Sequence, residues 1–181
     1  MKILFIIPFL VLIVLTATSQ QLSASNLLKW ISLSEKKMEF QLKNNEYHRS
    51  GTNFLTETTI KVYTGRQQFP NNNSPKADST RRYVLITKYK DIISLTYQTT
   101  VIAEFKHMLA DLKKADFYTY SKNDAPVVAG ADSILYQHEE YTATAYATTD
   151  DSLPLYSILY SRKNFSKANE IYYGEDLLQF T

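Results

Sequence analysis

The chain has no cysteine. That removes disulfide frameworks, zinc ribbons, thiol nucleophiles, iron–sulfur ligation and a lipoprotein acylation site together, so stability has to come from apolar burial. Glycine is nearly as scarce. Gly51, Gly65, Gly130 and Gly174 stand far apart, and neither a phosphate-cradling loop nor a dinucleotide fingerprint can be assembled from isolated glycines. No serine occupies a Gly-x-Ser-x-Gly elbow and no His-Glu-x-x-His pair occurs, so the common hydrolase and zinc-protease signatures are missing. The net charge of +2 falls short of a basic nucleic-acid footprint, which needs clustered Lys and Arg with interleaved aromatics.

Long apolar runs are confined to the N-terminus. Met1-Lys2 precedes an almost wholly apolar stretch from Ile3 to Leu15, followed by the small residues Ala17-Thr18-Ser19 before Gln20. The stretch is shorter than the roughly 20 residues of a membrane-spanning helix and contains Pro8. It therefore reads as a signal peptide over residues 1–19, cleaved near Ser19-Gln20, with no stable membrane anchor. The expected product, residues 20–181, is a single secreted or periplasmic α+β domain, long enough to bury a core without staples.

Helical periodicity appears twice. Over 26–45, Leu27, Leu28, Ile31, Met38 and Leu42 gather on one face, with Ser25 as the expected cap and Ser34 as the start of a second helix if the segment breaks. Over 101–114, Val101, Ile102, Phe105, Met108, Leu109 and Leu112 form a stripe, Glu104, Lys106, Asp111 and Lys113 lie outside it, and Thr100 is the expected cap. Elsewhere the period is two. Strands are expected at 59–63, 83–88, 92–97, 133–137, 141–147 and 155–160. Turns fall at Tyr89-Lys90-Asp91 and around Asp150-Asp151 and Pro154, and a long polar loop runs from Thr64 to Arg82.

The stretch "LKNNEYH" at Leu42–His48 returns as "LKKADFY" at Leu112–Tyr118. A shift of 70 residues superposes Met38 on Met108, Leu42 on Leu112 and Tyr47 on Phe117. With the strand order, this suggests two amphipathic helices packed on antiparallel sheet as a tandem αβββ repeat, 26–99 and 100–163, with a C-terminal segment at 164–181. The layout resembles that of tandem helix-plus-sheet inhibitor modules such as the secreted β-lactamase inhibitor proteins. It is a resemblance of layout alone and assigns no residue.

Candidate chemistry is thin. His138-Glu139-Glu140 sits by a strand, where alternation puts only Glu140 on the imidazole's side. Glu104 and His107 share helical spacing, but the further carboxylate helices of a di-metal bundle are absent. His48 follows the first helix, where a cation is favoured by the helix dipole. The pairs Asp150-Asp151 and Glu175-Asp176 suit turns as well as acid–base work. Seven strand tyrosines, Tyr83, Tyr97, Tyr136, Tyr141, Tyr146, Tyr156 and Tyr160, raise the expectation of amphipathic rings on a solvent face. Residues 20–100 hold 12 Lys and Arg against 6 Asp and Glu, while 101–181 hold 7 against 12. That asymmetry has meaning only if the halves do not interleave.

The sequence thus favours a non-enzymatic binding module of the inhibitor or envelope-accessory type, contacting an envelope protein or glycan through its sheet face and the Thr64 to Arg82 loop. No catalytic residue, metal ligand or cofactor is assigned, the ligand-binding residues are undetermined, and no nucleic-acid partner is expected. The rival reading is a small envelope hydrolase built on His138 and Asp or Glu carboxylates.

Overall fold

The computed structural model describes residues 22–65, 80–120, 133–150 and 153–163. The expected signal peptide, most of the polar loop (66–79), Asp151, and the C-terminal segment with Glu175-Asp176 lie outside the described residues. The described chain is α+β: three helices and one eight-stranded antiparallel sheet.

The first amphipathic segment is two helices, α1 (Ala24–Ile31) and α2 (Glu35–Asn44). Ser34 is extended, at ψ 152°, and this interrupts the helical hydrogen bonding between them. The cap of α1 is Ser23 rather than Ser25; its Oγ accepts from Asn26 N at 3.2 Å. The third helix, α3 (Ile102–Lys114), is preceded by Val101 rather than Thr100 at the cap position. The hydroxyl that accepts from Val101 N is that of Thr99, at 3.1 Å.

The strands are β1 (His48–Leu55), β2 (Thr58–Thr64), β3 (Arg82–Tyr89), β4 (Ile92–Thr99), β5 (Tyr118–Thr119), β6 (Ser133–Gln137), β7 (Tyr141–Asp150) and β8 (Leu153–Arg162). Eight strands replace the expected six. The two additional ones are β1, whose sequence HRSGTNFL has no apolar alternation, and β5, only two residues long. Both stand at the edges of the described sheet, where the sequence signal is weakest. The spatial order is β1-β2-β3-β4-β8-β7-β6-β5. Strands of the two halves therefore form contiguous blocks without interleaving. They meet at one ladder, β4 with β8, running from Leu95↔Tyr160 to Thr99↔Tyr156.

Alternation splits the sheet into two faces. One carries Tyr63, Val84, Ile86, Leu95, Tyr97, Ala143, Ala145, Ile158 and Tyr160, which join Leu27, Trp30 and Ile31 of α1, Met38 and Leu42 of α2 and Met108 and Leu112 of α3 in a single buried cluster. This is the core side.

α2 and α3 end alike. After α2, Tyr47 N donates to Leu42 O at 2.9 Å and Glu46 N to Lys43 O at 3.0 Å, with Glu46 left-handed at φ 62°. After α3, Phe117 N donates to Leu112 O at 3.1 Å, with Asp116 at φ 60°. These closures turn the chain sharply and set Tyr47 and Phe117 into the core, 1% and 4% exposed. A glycine would ordinarily take the left-handed position; here two acidic residues do.

Candidate functional site

The face opposite the core side runs across all eight strands. Cross-strand register lays its side chains in rows. One row runs His48, Thr64, Tyr83, Gln98, Ser157, Tyr146, Ser133; the next runs Gly51, Val62, Leu85, Thr96, Leu159, Thr144, Leu135. Neither contains Lys, Arg, Asp or Glu. The first row is polar and internally bonded: Gln98 Nε2 donates to Ser157 Oγ at 3.1 Å, and Tyr146 hydrogen-bonds Ser157. Burial pushes the Tyr146 phenol up to about 12, so it stays neutral. In the second row aliphatics dominate.

Accessibility divides this face. On β7 and β8 it is shut, with Ser157 at 0%, Leu159 at 2% and Thr144 at 3% exposure. On β2 and β3 it is mixed: Thr58 and Ile60 are buried, while Val62, Thr64, Tyr83, Leu85, Thr87 and Tyr89 are only half-buried. With no carboxylate in either row, and an imidazole only at the β1 edge, these two rows hold no acid–base pair. What it can do is match shape and exchange hydroxyl hydrogen bonds.

On the core side the sheet holds a buried ion pair. Glu104, in the first turn of α3, accepts from Arg82 Nε at 3.1 and 3.0 Å through its two oxygens, and also from Arg82 Nη2. Tyr97 Oη donates to Glu104 Oε2 at 3.0 Å and Thr99 Oγ1 to the same oxygen at 2.9 Å. Tyr47 reaches the group through a hydrogen bond with Tyr97. Burial raises the Glu104 carboxyl, but the Arg82, Thr99 and Tyr97 donors outweigh it and hold the carboxyl below its ordinary value. Burial likewise works against the Arg82 charge, and Glu104 more than restores it. Every Glu104 oxygen is engaged, and the pair ties α3 to the ends of β3 and β4.

Other residues singled out from the sequence are scattered. Glu104 is buried inside the fold instead of lying outside the helical stripe. His107 is 57% exposed and meets Asp111 Oδ2 at 3.5 Å, one turn along α3 and away from Glu104. His138 lies just before the β6–β7 turn, stacked between Phe117 and Tyr141 at 5.1 and 5.8 Å, and its Nδ1 accepts from Glu140 N at 3.2 Å. Its neighbours Glu139 and Glu140 are exposed. His48 opens β1, four residues beyond the end of α2, and is exposed. Asp150 ends β7. Among the described residues, no group of three or more His, Asp or Glu is placed to hold a metal ion.

The strand tyrosines do not line a solvent face. Tyr97, Tyr136 and Tyr160 are buried on the core side and Tyr146 is buried on the other; Tyr83, Tyr141 and Tyr156 are half-buried. The sequence placed Tyr47 at a helix closure and Arg82 at the end of a loop, without linking either to the buried network that they complete. Their signal lay only in the core spacing that places Glu104 beside Met108, an acid on an apolar stripe that requires a cation opposite. Among the described residues no helix is long and apolar enough to cross a membrane. Comparison of the chain with protein-family models, with curated proteins and with solved structures finds no match.

Proposed function

We propose that this chain is a non-enzymatic binding module, exported to the envelope or beyond, which takes a macromolecular partner, an envelope protein or glycan, on the part of the uncharged sheet face formed by β2 and β3. The observation that carries the reading is the absence of formal charge along both cross-sheet rows, combined with partial exposure of Val62, Tyr83, Leu85 and Thr87 at one end of the face. Desolvating uncharged hydroxyl and aliphatic groups costs far less than desolvating Lys or Glu, and depletion of charge marks the centre of protein interfaces.

In this reading the two halves are tandem repeats, each a helix followed by a four-stranded antiparallel meander: α2 with β1 to β4, and α3 with β5 to β8. The shared order of elements and the matching closures after α2 and α3 support it. The helices cover one side of the sheet and leave the other for recognition, as the common buried cluster suggests.

The test is affinity capture of a partner from the producing cell's envelope, with Leu85→Lys and Val62→Lys as face variants and Lys36→Glu on α2 as a control. A stoichiometric protein or glycan lost by roughly tenfold or more in the face variants, with unchanged melting, supports the reading. Capture indifferent to both face variants overturns it, as does turnover of a glycan or peptide panel that disappears in His138→Ala.

A further inference from the structure

The two edges of the sheet are unequal. At one end β5 pairs over two residues, too short to template another chain. At the other, β1 runs for eight residues, and among the described residues no strand pairs with its outer side. Natural edges are blunted by charges, prolines and bulges, and β1 has such protection only at its start, where Arg49 precedes a register shift before Gly51. From Gly51 to Leu55 the pairing with β2 is regular, and the segment Gly51-Thr52-Asn53-Phe54-Leu55 has neither charge nor proline. Phe54 projects from it at 78% exposure, the most exposed of the large apolar side chains among the described residues.

We propose that the outer edge of β1 pairs antiparallel with β1 of a second copy of this chain, about a two-fold axis at Asn53. Charge placement selects this occupant. Arg49 lies four residues before Asn53, its guanidinium donating to Thr52 Oγ1 on the exposed surface. Glu57 lies four residues after it in the β1–β2 turn, in an exposed pair with Lys90 at 3.6 Å. Both contacts are solvent-exposed and weak enough to be exchanged for a pairing between copies. Antiparallel self-pairing about Asn53 brings Arg49 of each copy to the turn bearing Glu57 of the other, at both ends of the ladder. A parallel arrangement would set like charges together. The same register sets Phe54 of each copy opposite Thr52 of the other, an aromatic and β-branched pair of the kind that stabilises cross-strand neighbours. The contact is isologous, so it closes as a dimer and joins two eight-stranded sheets into one. It uses a different surface from the binding face.

Sedimentation velocity of the purified protein tests this. A dimer is expected at about 100 μM, where micromolar association is nearly complete. Phe54→Lys should weaken it by roughly tenfold or more while leaving the melting curve in place. Arg49→Glu and Glu57→Arg should each weaken it roughly two- to fivefold, and the double swap should restore it. A protein that stays monomeric at that concentration, a dimer unmoved by Phe54→Lys, or single and double charge swaps that behave alike would each overturn the proposal.

Discussion

Tyr47 and Phe117 occupy the same position in two nearly identical closures, five residues along from a buried leucine acceptor and just after a left-handed acid. Their surroundings differ. The Tyr47 hydroxyl enters a buried polar group with Tyr97, Arg82 and Glu104, whereas Phe117, without a hydroxyl, stacks at 5.1 Å on His138 by a surface turn. One backbone device serves two purposes. Where the ring carries an oxygen, it links the helix end to a charge pair across β3 and β4; where it does not, it fills space and orders a hairpin.

The sharpest way to break the comparison is to remove the charge that only the Tyr47 side possesses. Glu104→Gln should cost about 3–5 kcal/mol in urea unfolding, because Arg82 is left buried without its counter-charge. The pH profile gives the same information. Since the folded Glu104 carboxyl titrates below its ordinary 4.5, its stabilisation is full at neutral pH and is lost as pH falls below that value through the folded pKa. The variant should lose part of the acid sensitivity along with the stability. An unchanged midpoint at pH 7 would refute the role given to the pair.

Truncating the rings comes next. Tyr47→Ala and Phe117→Ala should each lose about 3–4 kcal/mol by cavity formation, with Tyr47→Ala the larger because Tyr97 also loses a partner. Equal losses in chemical denaturation would mean the hydroxyl contributes nothing. Tyr47→Phe isolates that contribution and should cost about 1 kcal/mol. The two halves should finally behave alike in the backbone. Glu46→Gly and Asp116→Gly should each raise stability by roughly 0.5 kcal/mol, as relief of the left-handed strain exceeds the entropy glycine adds to the unfolded chain. A loss in either would assign its carboxylate a stabilising role of its own.

The echo of "LKNNEYH" in "LKKADFY" was legible because a helix end is written locally: a last apolar residue, polar residues able to adopt the left-handed region, then an aromatic that docks. The interior strands were legible for the same reason, since Ile60 and Leu95 alternate with polar neighbours and Val84 and Ile158 sit in runs rich in β-branched and aromatic residues. β1 escaped because its Arg, Ser, Gly and Asn show no period, and its strand character comes from β2, with which it pairs. Glu104 was misplaced because helical spacing reports a face and says nothing about a cation arriving from 22 residues upstream. The open portion of the sheet face was hidden for a further reason. Half-burial at Val62, Thr64, Tyr83 and Leu85 beside full burial at Ser157 and Leu159 depends on what lies over each strand, which alternation does not encode.

The strand order has a kinetic consequence. β1 to β4 and β5 to β8 pair with their sequence neighbours, whereas β4 and β8 meet across about 60 residues of chain. Loop-closure entropy disfavours early formation of that ladder, so each meander should gain protection from hydrogen exchange before the seam does. The seam is also where an error would be made, because β8 of a neighbouring molecule offers the same edge to β4 while both chains are still open.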